Sequence, residues 1–310
     1  MPKKNIINEK KIIFFPSISM DKKTWVWKNK IDTDGLLVSY DVLFSNKKIF
    51  ESKKPLGARL GYKNYIIIDS GAFGHSQETN PLVVYQMQKK AQADIAILLD
   101  KIPPKNADQK KIDEAITITL NNAKMIQQIN NNELNLMAVI QGNTIATQSK
   151  CAKAYTKMGY KIIGIPMSTL SKYRRYTQGI EKVLNIKKLF PSHTIFHALG
   201  CGSRTMIAIL SVMGVTFFDS SAYYKAAMYG EAIKPISMCS IGKAGSKPEC
   251  KYCLKKQRVP KSYAAKVNYN VREILKEIQR SRCAKEMNVG KEYLEMRLKK
   301  NLFKKILKYL

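Results

Sequence analysis

Acidic residues are scarce in this chain. Its 310 residues hold 23 Asp and Glu against 54 Lys and Arg, a formal net charge of +31. Charge of that size repels itself in a compact state and attracts polyanions, which puts nucleic acid first among partners and a membrane surface behind it. A coding bias toward Lys, Ile and Asn is a competing source of the basic excess, but it does not explain so few acids. Cysteine is also sparse: six are too few for a disulfide framework, so their clustering matters more than their number. There are three histidines, and none of them closes an apolar run, which weighs against a hydrolytic metal centre built on strand ends. No stretch stays apolar and uncharged for the ~20 residues a membrane span needs. The opening Met1-Pro2-Lys3-Lys4-Asn5 lacks the apolar core of a signal peptide, so a cytoplasmic protein with reduced thiols is expected.

What the chain does have is a series of short apolar runs separated by helical patterns. The hydrophobic fraction of 45% supplies an ordinary core. Residues 1–35 read as an irregular N-terminal cover. The first strand is Leu36–Tyr40, followed by strands at Ile66–Asp69, Ile95–Asp100, Leu136–Gln141, Lys161–Ile165, Thr194–Leu199 and Val215–Asp219, with a short eighth near Ala232–Ile236. Helices are expected from Pro81 to about Ala93, from Ile112 to Ile129, and over 145–158, 173–190 and 205–213. Strand and helix alternate at spacings of roughly 25–40 residues, the pattern of a parallel α/β fold. Eight units in one chain favour a closed (β/α)8 TIM barrel over an open sheet. A Gly-x-Gly-x-x-Gly turn after the first strand is absent, which argues the same way. The expected partition is a cover over 1–35, a barrel over 36–237, a Cys-containing loop with a helix over 238–285, and a basic C-terminal helix over 286–310.

Asp69, Asp100, Gln141 and Asp219 each close an apolar run. Taken alone, the stretch at Asp69 and Ser70 reads first as a helix cap in a βα loop. In a barrel, all four converge on the C-terminal mouth. Three carboxylates and an amide suit glycosidic chemistry. One carboxylate attacks an anomeric carbon, a second handles the proton, and the remaining groups read a hydrogen-bonding ring such as a nucleobase. His75 follows the Asp69 turn, His193 precedes a strand, and His197, within one, reads as a core histidine with its hydrogen bonds satisfied.

Five stretches, in order, resemble the tRNA-guanine transglycosylases. Asp69-Ser70-Gly71-Ala72-Phe73 resembles their Asp-Ser-Gly-Gly-Phe, and Val139-Ile140-Gln141-Gly142 their Val-Gln-Gly strand end. Leu199-Gly200-Cys201-Gly202 is similar to their Met-Gly-Val-Gly, Phe218-Asp219 to the Phe-Asp carrying the nucleophile, and Cys250-Lys251-Tyr252-Cys253 to the zinc segment. The resemblance implies that Asp219 attacks C1′ of a guanosine nucleotide and expels guanine. Asp69 then takes a proton from an incoming 7-deazaguanine. Asp100 and Gln141, with Ser70, Phe73 and the backbone of Gly164, would bind the base, and Leu199 and Gly200 would pack near its ring. No organic cofactor is implied, and the tRNA enzymes are dimers.

The departures from that pattern matter. Where the tRNA enzymes carry Pro-Thr-Arg after the nucleophile, this chain has Ser220-Ser221-Ala222-Tyr223-Tyr224-Lys225, and only Lys225 keeps a cation for nucleic acid. At this length the chain is also expected to lack the RNA-binding C-terminal domain of the archaeal tRNA enzymes. It departs in the direction of the DNA-guanine transglycosylases of phages and some bacteria. The expectation is therefore exchange of guanine in DNA for a 7-deazaguanine such as 7-cyano-7-deazaguanine, in a host cytoplasm if the chain is phage-encoded. The alternatives are the same chemistry on tRNA and a non-catalytic nucleic-acid-binding subunit. A structural zinc would use Cys239, Cys250 and Cys253 with no evident fourth ligand, because Pro248 and Val267 stand where the family has Cys and His. A degenerate, metal-free loop is the competing reading. Cys151 and Cys201 read as buried thiols. Basic helices over about 262–284 and 290–309 end the chain; the last carries Leu298, Leu302, Ile306 and Leu310 on one face. It would dock on the barrel, contact a DNA backbone or lie on a membrane surface.

Overall fold

The computed structural model describes residues 11–44, 54–72, 80–104, 106–233 and 260–310. Eight strands form one closed, all-parallel barrel in sequence order. They are β1 (Ile13–Ile18), β2 (Gly35–Val38), β3 (Tyr65–Ile68), β4 (Ile95–Ile97), β5 (Asn135–Val139), β6 (Ile162–Pro166), β7 (Ile195–Leu199) and β8 (Phe217–Ser220). The helices, in chain order, are α1 (Tyr40–Phe44), α2 (Leu56–Leu60), α3 (Pro81–Lys90), α4 (Gln109–Ile129), α5 (Ile145–Met158), α6 (Ser168–Lys172), α7 (Tyr176–Lys187), α8 (Arg204–Val212), α9 (Ala222–Met228), α10 (Tyr263–Glu286), α11 (Gly290–Arg297) and α12 (Lys300–Ile306). This is the (β/α)8 barrel expected from the alternation of patterns.

The strand count is right, but its composition differs from the expectation. β1 lies inside the stretch taken as an irregular cover, and it closes the barrel by pairing with both β2 and β8. Its signal was weak because Pro16 interrupts the run, and proline is a poor strand former. A closed barrel must nonetheless supply a partner to the free edge of β8, and Ile12-Ile13-Phe14-Phe15 is buried enough to do so. At the other end, Ala232 and Ile233 are not in a strand, and the rest of the expected eighth strand lies outside the described residues. The barrel therefore starts at β1, not at residue 36.

Local sequence sets the helix starts. The side chain of Asn80 caps α3 through the Leu82 N–H at 2.8 Å with Pro81 in the first turn, and Asp108 caps α4 through the Lys111 N–H at 2.8 Å. Thr144 and Thr147 cap each other across the start of α5. Two apolar layers result. One fills the barrel with Ile13, Phe15, Leu37, Ile67, Ile95, Met137, Ile162, Ile195 and Phe217. The other lies between barrel and helices and is larger. The expected last helix is broken in two where Leu298 adopts extended backbone (φ −101°, ψ 154°). Leu298 and Ile306 are buried, Leu302 is half-buried and Leu310 is exposed, so most of the apolar face does dock.

α10 ties the ends of the barrel together. Arg282 donates from Nε to the Ile12 carbonyl at 2.7 Å and pairs with Asp34. Asn270 donates to the Tyr223 carbonyl at 2.9 Å. Glu277 is fully buried, grips Arg297 through both carboxylate oxygens at 2.8–3.0 Å and accepts from the Tyr293 hydroxyl. Truncating it leaves a guanidinium and a phenol without their acceptor. Glu277→Ala is expected to lower unfolding free energy by about 3 kcal/mol in urea denaturation. A loss below about 1 kcal/mol would show that this pair is not what fixes α11 on α10.

Candidate active site at the barrel mouth

Successive residues of a strand face opposite sides, so each strand contributes every second residue to the barrel interior. On β3 the inward set runs to Ile67 and then Asp69; on β5 it runs through Met137 and Val139 to Gln141. On β7 it is Ile195, His197 and Leu199, on β8 Phe217 and Asp219, and on β1 Ile13, Phe15 and Ser17. Apart from His197, the interior is thus apolar until its uppermost layer, where Ser17, Asp69, Gln141 and Asp219 replace the apolar side chains. They line a cavity of about 450 Å3 with Ser39, Ser70, Ala72, Asp100, Pro166, Ser168, Leu199, Gly200, Tyr224 and Lys225 around it.

Each carboxylate has a different set of partners. Asp69 accepts from the Tyr40 N–H at 3.0 Å and the Gly71 N–H at 2.9 Å, both on Oδ1. The turn needs glycine at 71, where φ is +72° and a Cβ would press on the Tyr40 ring at about 3.1 Å. Burial pushes the Asp69 carboxyl up to about 6, against the pull of those two N–H donors, and the charges of Asp41 and Asp219 add to the rise. Asp100 is buried and accepts from Gln141 Nε2. Burial lifts it to about 6 as well, partly offset by Gln141, its own backbone and the Ser70 hydroxyl. Asp219 is held on Oδ1 by the Gly200 N–H at 2.9 Å and by His197 Nε2 at 2.9 Å, and on Oδ2 by Ser17 Oγ at 3.2 Å. Gly200 is the second position that needs glycine, with φ +69° and Ser168 only 2.8 Å from where a Cβ would sit.

The strand ends carrying these groups are braced from behind. A parallel strand that stops leaves carbonyls without ladder partners, and each must be satisfied if buried. Gln88 on α3 donates to the Ile68 carbonyl at 3.1 Å and the Ile97 carbonyl at 2.8 Å, clamping the ends of β3 and β4. Tyr155 on α5 donates to the Val139 carbonyl at 3.1 Å, and Lys182 on α7 to the Pro166 carbonyl at 2.8 Å. Burial lowers the Lys182 ammonium to about 8.

Asp69, Ser70, Asp100, Gln141, Leu199, Gly200, Asp219 and Lys225, all expected at the site, line the one cavity. Gly164 does not. Its carbonyl accepts from the Ile140 N–H at 2.9 Å within the barrel, and the Leu199 side chain covers it. β6 reaches the cavity two residues later, at Pro166. Phe73 and the candidate zinc ligands Cys239, Cys250 and Cys253 lie outside the described residues. Among the described residues no group of His, Cys, Asp and Glu could hold a metal ion, and no helix is long and apolar enough to cross a membrane. Cys151 and Cys201 are buried free thiols. Three functional contributors were not foreseen: Ser17, His197 and Gln88. Strand parity would have found His197, which shares a face with Leu199. Ser17 was hidden with the unread strand β1, and nothing in a helical pattern marks Gln88 as a clamp.

A (β/α)8 barrel with three carboxylates and an amide at its C-terminal mouth is an arrangement suited to nucleophilic displacement on a sugar with recognition of a base. Residues 50–279 match the family model described as queuine tRNA-ribosyltransferase, and the chain belongs to that family. A tRNA-guanine(15) transglycosylase of Methanocaldococcus jannaschii is 27% identical over 207 residues, 63% of this chain and 31% of the relative. Those of Methanococcus aeolicus and Pyrococcus furiosus are 30% and 29% identical, over 57% and 61% of this chain and 28% and 34% of their own. The matched stretch thus spans about a third of these relatives. A carbon-13 titration of Asp-labelled protein is expected to show the Asp69 and Asp100 carboxyls changing near pH 6, with Asp69→Asn removing one transition. Both titrating at the ordinary value of about 4 would contradict the burial argument.

Proposed function

We propose that this protein exchanges guanine in a polynucleotide for a 7-deazaguanine base through a covalent ribosyl or deoxyribosyl ester on Asp219. One observation carries the reading. Asp219, Asp69 and the Asp100–Gln141 pair open on a single cavity, in a fold and family whose relatives are named tRNA-guanine transglycosylases. The Asp219 carboxylate attacks C1′, and guanine departs with the electron pair of the glycosidic bond and takes up a proton. The incoming base gives a ring N–H proton to Asp69, its nitrogen attacks C1′, and Asp219 leaves as carboxylate. A carboxyl near 6 suits Asp69 to that exchange, since close to neutrality it is mostly ionised yet readily protonated. Asp100 accepts N–H donors from the base edge, and Gln141 holds it in place.

The polynucleotide favoured by the relatives' names is tRNA. DNA is the second reading, and the run Ser220–Lys225 favours it. Tyr223 in that run is buried, donating to the Ser17 carbonyl at 3.1 Å and the Thr24 carbonyl at 2.9 Å, so it is a structural strut. Lys225 is exposed at the cavity rim and is the cation left in that run to meet a phosphate. A duplex target base would have to leave its stack to reach Asp219.

The test is incubation with labelled guanine and 7-deazaguanines, with unmodified tRNA and DNA as parallel acceptors. Label is expected in one acceptor with the wild-type chain and in neither with Asp219→Ala. Label in DNA alone would replace the tRNA reading with the DNA reading. An Asp219→Ala variant that still exchanges would overturn the nucleophile assignment. A wild-type chain that binds both acceptors and labels neither would leave a non-catalytic nucleic-acid-binding subunit.

A further inference from the structure

His197 is the most deeply buried polar group in the site, with no exposed surface, and its surroundings leave it no freedom. Its ring stacks on Phe15 at 5.8 Å between centroids with a 24° tilt, and meets the edge of Phe217 at 6.2 Å. Its Nε2 lies 2.9 Å from Asp219 Oδ1. Its Nδ1 is buried and has no hydrogen-bond partner among the described residues. A carboxylate oxygen only accepts, so the contact needs the hydrogen on Nε2. The opposite tautomer would set a bare nitrogen against a carboxylate oxygen and bury an N–H with nothing to receive it, two penalties at once.

The two oxygens of Asp219 are then unequal. Each has two lone pairs. On Oδ1 both are engaged, by His197 Nε2–H and the Gly200 N–H, whereas among the described residues Oδ2 receives only the Ser17 hydroxyl at 3.2 Å. An oxygen with both pairs engaged is a poor nucleophile, and the other retains one. We propose that His197 is a positioning residue that, with Gly200, holds Oδ1 so that Oδ2 is the oxygen that attacks C1′. The same two donors then sit on the carbonyl oxygen of the glycosyl ester, and they stabilise the carboxylate that must leave in the second displacement. This inference rests on the base-exchange reading for its kinetic consequence, but the hydrogen bond itself does not.

Two measurements on the full chain test it. Nitrogen-15 spectra of histidine-labelled protein are simple to assign, because there are three histidines and His197→Phe removes one signal set. A proton on Nε2 is expected, and a bare Nε2 overturns the proposal whatever the protein's activity. In the exchange assay, His197→Phe keeps a ring but loses the donor. It is expected to lower kcat roughly 100- to 1,000-fold, the scale of losing one aimed donor, with KM for the polynucleotide within about twofold. His197→Gln places an amide N–H at similar reach and is expected to recover most of that loss. A His197→Phe kcat within about twofold of wild type overturns the proposal. So does an equal loss in both variants, which would make the histidine a packing residue. A wild-type chain with no exchange removes the base-exchange reading instead, and the nitrogen-15 result still decides the hydrogen bond.

Discussion

The pairing of β1 with β8 is the constraint on which the rest depends. It closes the sheet on itself and removes the two edges that an open parallel sheet of this length would expose. Its register, with Phe15 opposite Asp219 and Pro16 opposite Ser220, brings Ser17 to the upper layer beside the Asp219 carboxylate. The same closure places the Phe15 ring under His197. α10 reinforces it from outside, where Arg282 holds the carbonyl of Ile12 immediately before β1. The site is therefore not a set of side chains added to a finished barrel. Its Asp219 corner exists only when the first and last strands meet.

Keeping carboxylates in such a place costs stability. Raising a carboxyl from near 3.8 to about 6 corresponds to roughly 3 kcal/mol against its charged form, and both Asp69 and Asp100 carry that penalty. The sign follows from proton binding: the folded chain holds these protons more tightly than the unfolded one, so this contribution to stability falls as pH rises from about 4 through 6. Against it stand a barrel interior of Ile, Val, Met and Phe and strand ends clamped by Gln88, Tyr155 and Lys182. Local rules yield at the mouth and hold in the layers beneath it.

Much of this was legible in the sequence, and the reasons for the gaps are physical. Seven of the runs read as strands become β2 to β8 because buried parallel strands are continuous apolar stretches bounded by punctuation. The ends at Asp69, Asp100, Gln141 and Asp219 could be placed at one mouth without coordinates, since parallel closure leaves them nowhere else. β1 was not legible because Pro16 spoils a short run whose only reason to be a strand is the vacant edge of β8. His197 looked like an ordinary core residue because burial and function coincide there: it fills the interior with one ring face and holds Asp219 with one nitrogen. Gly164 was assigned to base recognition, yet the ladder uses its carbonyl, and pairing registers cannot be read from single strands.

The central claim is that Asp219, held by its neighbours with one oxygen engaged and the other available, forms the bond to C1′. The most direct test is to quench the protein with its polynucleotide during turnover, digest it and map the attached nucleotide by mass spectrometry. The account predicts an adduct on the peptide containing Asp219. An adduct on the peptide containing Asp69, or exchange with no covalent adduct on Asp219, would contradict it.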